Sequence, residues 1–124
     1  MDKFRQVHRH PEFIRDLKQL TKRFRTLEED LEKLIDYSIC LRHKQGIDNG
    51  GIFQIPGLGF EHPPVYKVKK FACKSLKGKG AQSGLRLIYA YFNYEDRIEL
   101  IEIYYKEKQN TDCDNVRIKR LYSE

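Results

Sequence analysis

The chain has 124 residues, of which 24 are lysine or arginine and 18 are aspartate or glutamate, for a net charge of +6. This length allows one hydrophobic core and is too short for two, so we expect a single domain spanning residues 1–124. No stretch approaches the length of an apolar membrane span, and the first residues do not resemble a signal peptide. The expectation is therefore a soluble, cytoplasmic protein without a membrane partner. The excess of positive charge favours a polyanionic partner.

The cysteines and histidines form no disulfide or metal-binding pattern. Cys40, Cys73 and Cys113 are odd in number, widely spaced and outside any C-x-x-C pair, which argues against a disulfide framework or a zinc site. His8 and His10 could share one side of a strand, but no third ligand follows at a recognisable spacing. We therefore expect neither a metal nor another cofactor.

The chain up to Gly46 has mainly the periodicity of helices. A short first strand is expected at residues 4–8, where side-chain character alternates weakly. A first helix is expected to begin at Pro11, followed by an apolar stripe at helical spacing. The stripe consists of Phe13, Leu17, Leu20 and Phe24. A second stripe covers residues 27–41 after a short break, so the two helices should form an antiparallel hairpin.

The later part of the chain has the pattern of strands. We expect strands at residues 65–72, 85–92 and 98–105, with a tight turn at residues 93–96 between the last two. A short helix is expected at residues 112–122. The order βααβββα predicts an α+β fold. An N-terminal helical hairpin would pack on an antiparallel sheet of about four strands, and a short C-terminal helix would follow.

Positive charge is concentrated in residues 65–80, which contain six lysines and no acidic residue. These lysines are Lys67, Lys69, Lys70, Lys74, Lys77 and Lys79. Such a cluster is typical of an anion-binding surface, because its self-repulsion is relieved when an anion binds. The alternative is a solvated strand edge that lysine protects against aggregation.

Strand alternation sorts the side chains of the last two strands between two faces of the sheet. The more apolar side, expected to meet the helices, consists of Leu85, Leu87, Tyr89, Tyr91, Ile101, Ile103 and Tyr105. The opposite face should be uncovered and concave, and should carry Arg86, Ile88, Ala90, Glu102, Tyr104 and Lys106. Lys67 and Lys69 of the preceding strand would converge there with Arg86 and Lys106. A phosphate on this face would then contact several cations with little reorganisation.

Three short motifs occur in a recognisable order. They are Tyr66-Lys67-Val68-Lys69, then Gly84-Leu85-Arg86-Leu87-Ile88-Tyr89, and then the apolar strand 98–105 followed by Lys106. Together with the helical hairpin they resemble the RelE/ParE superfamily of bacterial toxins over residues 4–122. The resemblance implies a RelE-like fold and the toxin half of a type II toxin–antitoxin system. An open basic face with Ile88 exposed would suit an antitoxin segment of complementary charge.

The resemblance also implies an activity. RelE-type members cleave messenger RNA on the ribosome, whereas ParE-type members poison DNA gyrase. Lys67, Lys69 and Arg86 favour the RelE branch, which implies a ribosome-dependent, metal-independent mRNA endoribonuclease that inhibits translation by 2′-OH attack. By carry-over, Lys69 would be the general base, and Lys67 with Arg86 would hold the phosphate. The alternatives are a non-catalytic or ParE-like toxin that inhibits gyrase, and an inactive toxin homologue.

Two positions depart from the RelE pattern. Active RelE-type toxins carry an arginine just beyond the last strand and a tyrosine near the C-terminal helix, where this chain has Lys106 and Cys113. The general acid is therefore assigned to Lys106 or Lys108. Tyr104 or Tyr105 is expected to stack on an RNA base, and the alternative for both is packing in the core. The other expected RNA contacts are Lys70, Lys74, Lys77, Lys79 and Lys108.

Overall fold

The computed structural model of the protein describes residues 3–76, 78–107 and 111–123. Its elements, in chain order, are β1 (Gln6–Arg9), α1 (Pro11–Thr21), α2 (Leu27–Lys33), a π-helical segment (Leu34–Ile39), α3 (Cys40–Gln45), β2 (Ile52–Gln54), β3 (Val65–Val68), β4 (Leu85–Phe92), β5 (Arg97–Tyr105) and α4 (Asn115–Tyr122). This order confirms the predicted α+β fold and adds one short strand, β2. In the part of the chain that is described, no helix has the length and apolar character needed to cross a membrane.

The N-terminal helices form where the sequence carries apolar stripes. α1 begins at Pro11, a position where the missing backbone N–H would have no helical partner. It buries Phe13 and Leu17 and packs against α2, as the predicted hairpin requires. α2, the π-helical segment and α3 follow one another without a break. They end at Gly46, whose φ of 69° lies in the left-handed region that glycine adopts without strain.

The five strands form one mixed sheet in the order β1-β5-β4-β3-β2. β4 and β5 form an antiparallel hairpin with its turn at residues 93–96, as predicted. β3 pairs with β4, and β2 pairs with β3, both in antiparallel orientation. β1 pairs with β5 in parallel orientation, with Val7 opposite Ile98. β1 and β2 are therefore the edges of the sheet, and β4 lies at its centre.

A β-bulge in β5 changes which residues face the helices. Leu87 is opposite Ile103, whereas Tyr89 is opposite Leu100, so β5 contains one extra residue between these two pairs. The alternation of side chains along β5 therefore shifts by one position. Ile103 lies in the core on the helical side, as predicted, but Ile101 lies in the core on the opposite side. The prediction for Ile101 was wrong because strict alternation does not anticipate a bulge.

Each face of the sheet carries a hydrophobic core. The larger core lies under the helices and includes Phe13, Leu31, Leu87 and Tyr89. On the other face, α4 and residues 55–60 pack over Ile88, Ala90 and Ile101, which are all 0% exposed. The predictions that this face is uncovered and that Ile88 is exposed were therefore wrong. Alternation identifies side chains that share a face, but it carries no information on the segment that packs there.

Candidate functional site

Lys67 and Lys69 line the same hollow, of about 300 Å³, beside β2 and β3. We call it the basic hollow. It is lined by Phe53, Gln54, Ile55, Pro56, Lys67, Lys69, Asp112, Cys113 and Asn115. β2 and β3 hold its wall in register, because Phe53 is the cross-strand partner of Lys67. The segment that precedes α4 closes the opposite side. Two distant parts of the chain therefore build the hollow.

The ammonium group of Lys67 is paired with the carboxylate of Asp112. Nζ of Lys67 lies 2.5 Å from Oδ1 of Asp112, and the Lys67 side chain is only 17% exposed. The same oxygen accepts hydrogen bonds from the backbone N–H of Cys113 at 2.7 Å and from the hydroxyl of Tyr104 at 3.4 Å. The hydrogen bond from Lys67 is the main reason that the pKa of Asp112 is lowered to about 2. A negative charge thus occupies the position next to Lys67 where the sequence predicts a phosphate.

Lys69 and Arg86 are held by weaker contacts than Lys67. Nζ of Lys69 lies 5.0 Å from the centre of the Phe53 ring, within cation–π distance. The guanidinium of Arg86 donates to the backbone carbonyl oxygens of Lys69 at 3.2 Å and Leu85 at 3.1 Å. Neither side chain forms an ion pair within the described residues. Among the described residues neither side chain has a counterion, so both can take part in binding an anion.

Tyr104 and Lys106 lie on the Arg86 side of the site. Tyr104 is the cross-strand partner of Arg86, and the backbone N–H of Lys106 donates to the carbonyl of Gly84 at 2.8 Å. Alternation places Tyr104 and Lys106 on the same face as Arg86. Tyr104 packs against the second core, and its burial raises the pKa of its phenol, which therefore stays protonated. The structure thus brings Lys67, Lys69, Arg86, Tyr104 and Lys106 to one end of the sheet.

Two of the expected RNA-binding lysines lie elsewhere. Lys70 and Lys74 line a separate hollow of about 360 Å³ beside α2 and the π-helical segment. The ammonium of Lys70 donates to the backbone carbonyl of Asn49 at 2.9 Å, and that of Lys74 lies 2.9 Å from the carboxylate of Glu29. The lysines of residues 65–80 therefore do not form one surface, because Lys70 and Lys74 lie beside the helices whereas Lys67 and Lys69 line the basic hollow.

The structure does not test the remaining lysines that were expected to bind RNA. Lys79 is exposed in the segment between β3 and β4, where its backbone N–H donates to the carbonyl of Leu76 at 3.4 Å. Lys77 and Lys108 lie outside the described residues. RNA binding by these lysines stays a prediction.

The sequence did not predict Phe53 or Asp112 in the site, and Cys113 was expected only as a departure from the RelE pattern. Asp112 was expected in the first turn of the last helix, but α4 begins at Asn115, with Asp114 as the capping residue that accepts from the Arg117 N–H at 3.1 Å. Asp112 lies outside the helix and reaches Lys67, from which it is 45 residues distant in the chain. Burial raises the pKa of the Cys113 thiol to about 11, although Lys67 opposes this effect. No local motif marks contacts over such a distance.

The histidines near the N-terminus take part in ordinary hydrogen bonding and packing. The rings of His8 and His10 are 4.8 Å apart in an edge-to-face arrangement. Nε2 of His10 lies 2.9 Å from a carboxylate oxygen of Glu99 and 3.0 Å from the hydroxyl of Tyr122. Within residues 3–76, 78–107 and 111–123, no three histidine, cysteine, aspartate or glutamate side chains are grouped as metal ligands would be.

Comparison with known proteins provides a fold but no sequence relative. No family profile and no curated protein sequence matches the chain. A chain from the crystal structure of the archaeal RelE–RelB complex of Pyrococcus horikoshii OT3 matches with a TM-score of 0.51 and 13% identity, covering 83% of this chain and 96% of that chain. The isolated E. coli RelE toxin matches with a TM-score of 0.50 and 17% identity, covering 97% of this chain and 99% of that chain.

The similarity to these structures extends over most of each chain and establishes a RelE-like fold for this protein. The fold expected from the sequence motifs is therefore confirmed. At identities of 13% and 17%, the similarity concerns the fold alone. Activity depends on the side chains of the site and not on the fold alone.

Proposed function

We propose that this protein is the toxin component of a type II toxin–antitoxin pair, and that it cleaves messenger RNA on the ribosome, in the cytoplasm. Translation is inhibited as a result. The observation that supports the proposal is that Lys67 and Lys69 line one hollow of a RelE-like fold, while Arg86 of the neighbouring strand, which does not line the hollow, donates to the backbone carbonyl of Lys69. One structure of this fold is the isolated E. coli RelE toxin, and another is a RelE–RelB complex. A cognate antitoxin is accordingly the proposed protein partner.

Cleavage of RNA without a metal has three chemical requirements. The ribose 2′-OH must lose a proton, the phosphate must be stabilised as negative charge develops, and the leaving 5′-oxygen must gain a proton. In our proposal the reactive form of Lys69 is the neutral amine, which accepts the proton of the 2′-OH and becomes an ammonium, while the 2′-oxygen forms a bond to phosphorus. Lys67 and Arg86 bind the non-bridging oxygens, and Arg86 keeps its charge throughout because a guanidinium does not deprotonate.

Breaking of the bond between phosphorus and the 5′-oxygen completes the reaction. Lys106 is the candidate donor of a proton to that oxygen, because it lies beyond Tyr104 on the Arg86 face. The products are a 2′,3′-cyclic phosphate and a free 5′-hydroxyl group. We propose that Lys70, Lys74, Lys79 and Tyr104 contact RNA outside the reacting phosphate, together with Lys77 and Lys108.

Asp112 must leave Lys67 before a phosphodiester can bind there. The Asp112 side chain is 67% exposed, and the residue belongs to neither a helix nor a strand. Its carboxylate can therefore turn toward solvent without the unfolding of an element. An RNA phosphate that binds Lys69 and Arg86 first would compete with this carboxylate for the ammonium of Lys67.

A non-catalytic toxin of the same fold is the second candidate, either as a gyrase inhibitor or as an inactive homologue. Two observations favour it. The charge of Lys67 is already neutralised by Asp112, and Cys113 stands where the RelE pattern has a tyrosine. Its thiol, with a pKa raised to about 11, is a poor proton donor at neutral pH compared with a group that titrates near 7.

Expression in E. coli, followed by primer-extension mapping of cellular mRNA, tests the proposal. The wild-type protein should produce cleavage in the reading frame. Lys69→Ala should reduce cleavage by about 10²–10⁴-fold, the usual contribution of a proton-transfer group, and Arg86→Ala should have a comparable effect. The control is Lys119→Ala, which removes an exposed cation of α4. This variant should cleave mRNA as well as the wild type does. Circular dichroism and thermal unfolding establish that each variant is folded.

The alternatives give different results in the same cells. A Lys69→Ala/Arg86→Ala double variant that stays fully toxic would overturn the assignment of the site. DNA damage without mRNA cleavage would favour a gyrase inhibitor. Normal growth in the presence of the folded wild-type protein would favour an inactive homologue.

A further inference from the structure

A groove of about 760 Å³ lies beside α1 and the start of α2, and it is more than twice as large as the basic hollow of about 300 Å³. We call it the α1 groove. It is lined by Arg9, Ile14, Leu17, Lys18, Thr21, Lys22, Arg25 and Glu28. None of these residues lines the basic hollow. The α1 groove is therefore a separate feature of the surface.

Apolar side chains contribute to the α1 groove. Leu17 is 5% exposed and belongs to the main core, whereas Ile14, one turn earlier on α1, is 49% exposed. The hydroxyl of Thr21, the next turn on, donates to the carbonyl of Leu17 at 2.6 Å and is thereby satisfied within the helix. Ile14 thus offers an exposed apolar surface next to the core, and a partner that covers it would gain hydrophobic burial.

The cations of the α1 groove exceed its acids. Arg9 is balanced inside the groove, because its guanidinium lies 2.5 Å from the carboxylate of Glu28. Lys18, Lys22 and Arg25 are exposed and form no ion pair within the described part of the chain. Three positive charges without a counterion therefore surround an apolar strip. A ligand that is acidic and has an apolar face would match this combination of charge and apolar surface.

We propose that the α1 groove is the docking surface for an acidic, amphipathic segment of another protein. A helical segment with apolar residues three and four apart would cover Ile14 and Leu17, and acidic residues flanking that face would lie beside Lys18, Lys22 and Arg25. The unpaired cations would also accelerate association with an acidic partner. This inference does not depend on whether the protein cleaves RNA.

Nucleic acid fits the α1 groove less well. None of the residues that line it is aromatic, whereas proteins that bind single-stranded RNA commonly stack bases on aromatic rings. An apolar strip also gives no favourable contact to a sugar–phosphate backbone. A peptide with one apolar face and one acidic face matches both features of the groove.

Fluorescence anisotropy with a designed peptide tests the proposal. The probe is a fluorescein-labelled peptide of about five helical turns (~18 residues) with leucines on one face and glutamates on the other. The control peptide has the same composition in an order that spreads the leucines around the helix. The wild-type protein should bind the amphipathic peptide at least about tenfold more tightly than the control peptide, because only one of them presents an apolar face.

Variants locate the binding surface. The triple variant Lys18→Glu/Lys22→Glu/Arg25→Glu should bind the amphipathic peptide at least about tenfold more weakly, because attraction becomes repulsion. Ile14→Ser should weaken binding about fivefold through loss of apolar contact. Both effects are measured near 0.15 M salt, where the Debye length of about 8 Å screens distant charges.

A second triple variant serves as the matched control. Arg5→Glu/Lys33→Glu/Lys119→Glu makes the same change in net charge at exposed cations that do not line the α1 groove. Its affinity for the peptide should stay within about twofold of the wild type, because these charges lie outside the contact. Thermal unfolding establishes that both triple variants are folded.

Three results would overturn the proposal. They are no binding of the amphipathic peptide to the wild type, equal losses in the two triple variants, and full affinity in Ile14→Ser. Binding of a labelled oligoribonucleotide that depends on the groove cations but not on Ile14 would assign the groove to nucleic acid. None of these measurements involves mRNA cleavage, so a failure here is distinct from a failure of the proposed function.

Discussion

The ammonium of Lys67 and the carboxylate of Asp112 form an ion pair with an N–O distance of 2.5 Å, although 45 residues separate them in the chain. The two partners differ in exposure, with 17% of the Lys67 side chain accessible and 67% of that of Asp112. Lys67 is therefore anchored in the wall of the basic hollow, and the acid approaches it from the solvent side. Any other anion that binds Lys67 has to replace Asp112.

Substitution Asp112→Asn should raise the affinity of the basic hollow for a phosphodiester. The expected increase is about two- to fivefold, because the competing pair is partly exposed and such pairs contribute up to about 1 kcal/mol. Titration with a dinucleotide that carries a 2′-deoxy group, and so resists cleavage, measures the affinity by calorimetry or NMR. Asp48→Asn removes the acid from another partly exposed pair, with Arg42 at 3.0 Å, and should leave the affinity unchanged. Weaker binding by Asp112→Asn would mean that Asp112 assists anion binding.

The thiol of Cys113 should react slowly with alkylating agents at neutral pH. Burial raises its pKa to about 11, and only the thiolate reacts. Iodoacetamide at pH 7.5 is therefore expected to modify Cys113 roughly 100-fold more slowly than an unhindered cysteine. Mass spectrometry of the peptide that contains Cys113 measures the rate separately from those of Cys40 and Cys73.

The same reaction reports on Asp112 without any RNA. The negative charge of Asp112 contributes to the raised pKa of the Cys113 thiol, whereas Lys67 lowers it. Alkylation of Cys113 should accordingly be faster in the Asp112→Asn variant than in the wild type. An unchanged rate, or a wild-type rate equal to that of a free cysteine, would contradict the arrangement at the basic hollow.

His43 should make the protein less stable in mild acid. Its ring stacks on Tyr91 with centroids 3.9 Å apart, and its Nε2 lies 2.7 Å from the hydroxyl of Tyr89. Burial, with a smaller effect of Arg42, lowers the pKa of His43 from 6.5 to about 4. As the pH falls below 6.5, the unfolded chain binds a proton that the folded protein excludes until about pH 4. The contribution of neutral His43 to the stability of the folded protein is therefore complete above pH 6.5, and it is lost as the pH falls from 6.5 to about 4.

Comparison with His43→Gln isolates this effect. Glutamine can still hydrogen-bond to Tyr89 but does not titrate. Between pH 7.5 and 4.5, the free energy of unfolding in urea should fall more for the wild type than for the variant, by on the order of 2 kcal/mol. The whole shift in the pKa of His43 corresponds to about 3 kcal/mol. The expected difference is smaller because His43 keeps some contact with solvent. Equal losses in the two proteins would contradict the lowered pKa.

Substitution Ile118→Ala should destabilise the protein by about 2–4 kcal/mol, because it leaves a cavity in the core under α4. Ile118 is 0% exposed, whereas Val116 on the same helix is 77% exposed. Val116→Ala is therefore the control and should change the free energy of unfolding by less than about 0.5 kcal/mol. Chemical denaturation measures both. Similar values for the two variants would indicate that α4 does not cover the sheet as described.

Much of the fold can be predicted from local patterns. The apolar stripe of α1, the turn at residues 93–96 and the position of Arg86 and Tyr104 on the sheet face away from α1 and α2 follow from spacings of three, four or two residues, and the structure contains all of them. Such spacings are imposed by backbone geometry, which repeats every 3.6 residues in a helix and every two in a strand. The placement of Lys67, Lys69 and Arg86 on one face of the sheet follows from the same spacing, whereas their joint action on a phosphate stays a prediction.

Other features depend on how distant segments meet. The bulge in β5 moved Ile101 to the other face, the packing of α4 buried Ile88, and the segment before α4 delivered Asp112 to Lys67. Periodicity assigns a side chain to a face, but the neighbour on that face is selected by loop path, pairing register and close packing over the whole chain. The cations on this face of the sheet were therefore visible in the amino-acid order, whereas the counterion of Lys67 and the helix that covers the sheet arose only from the folded arrangement.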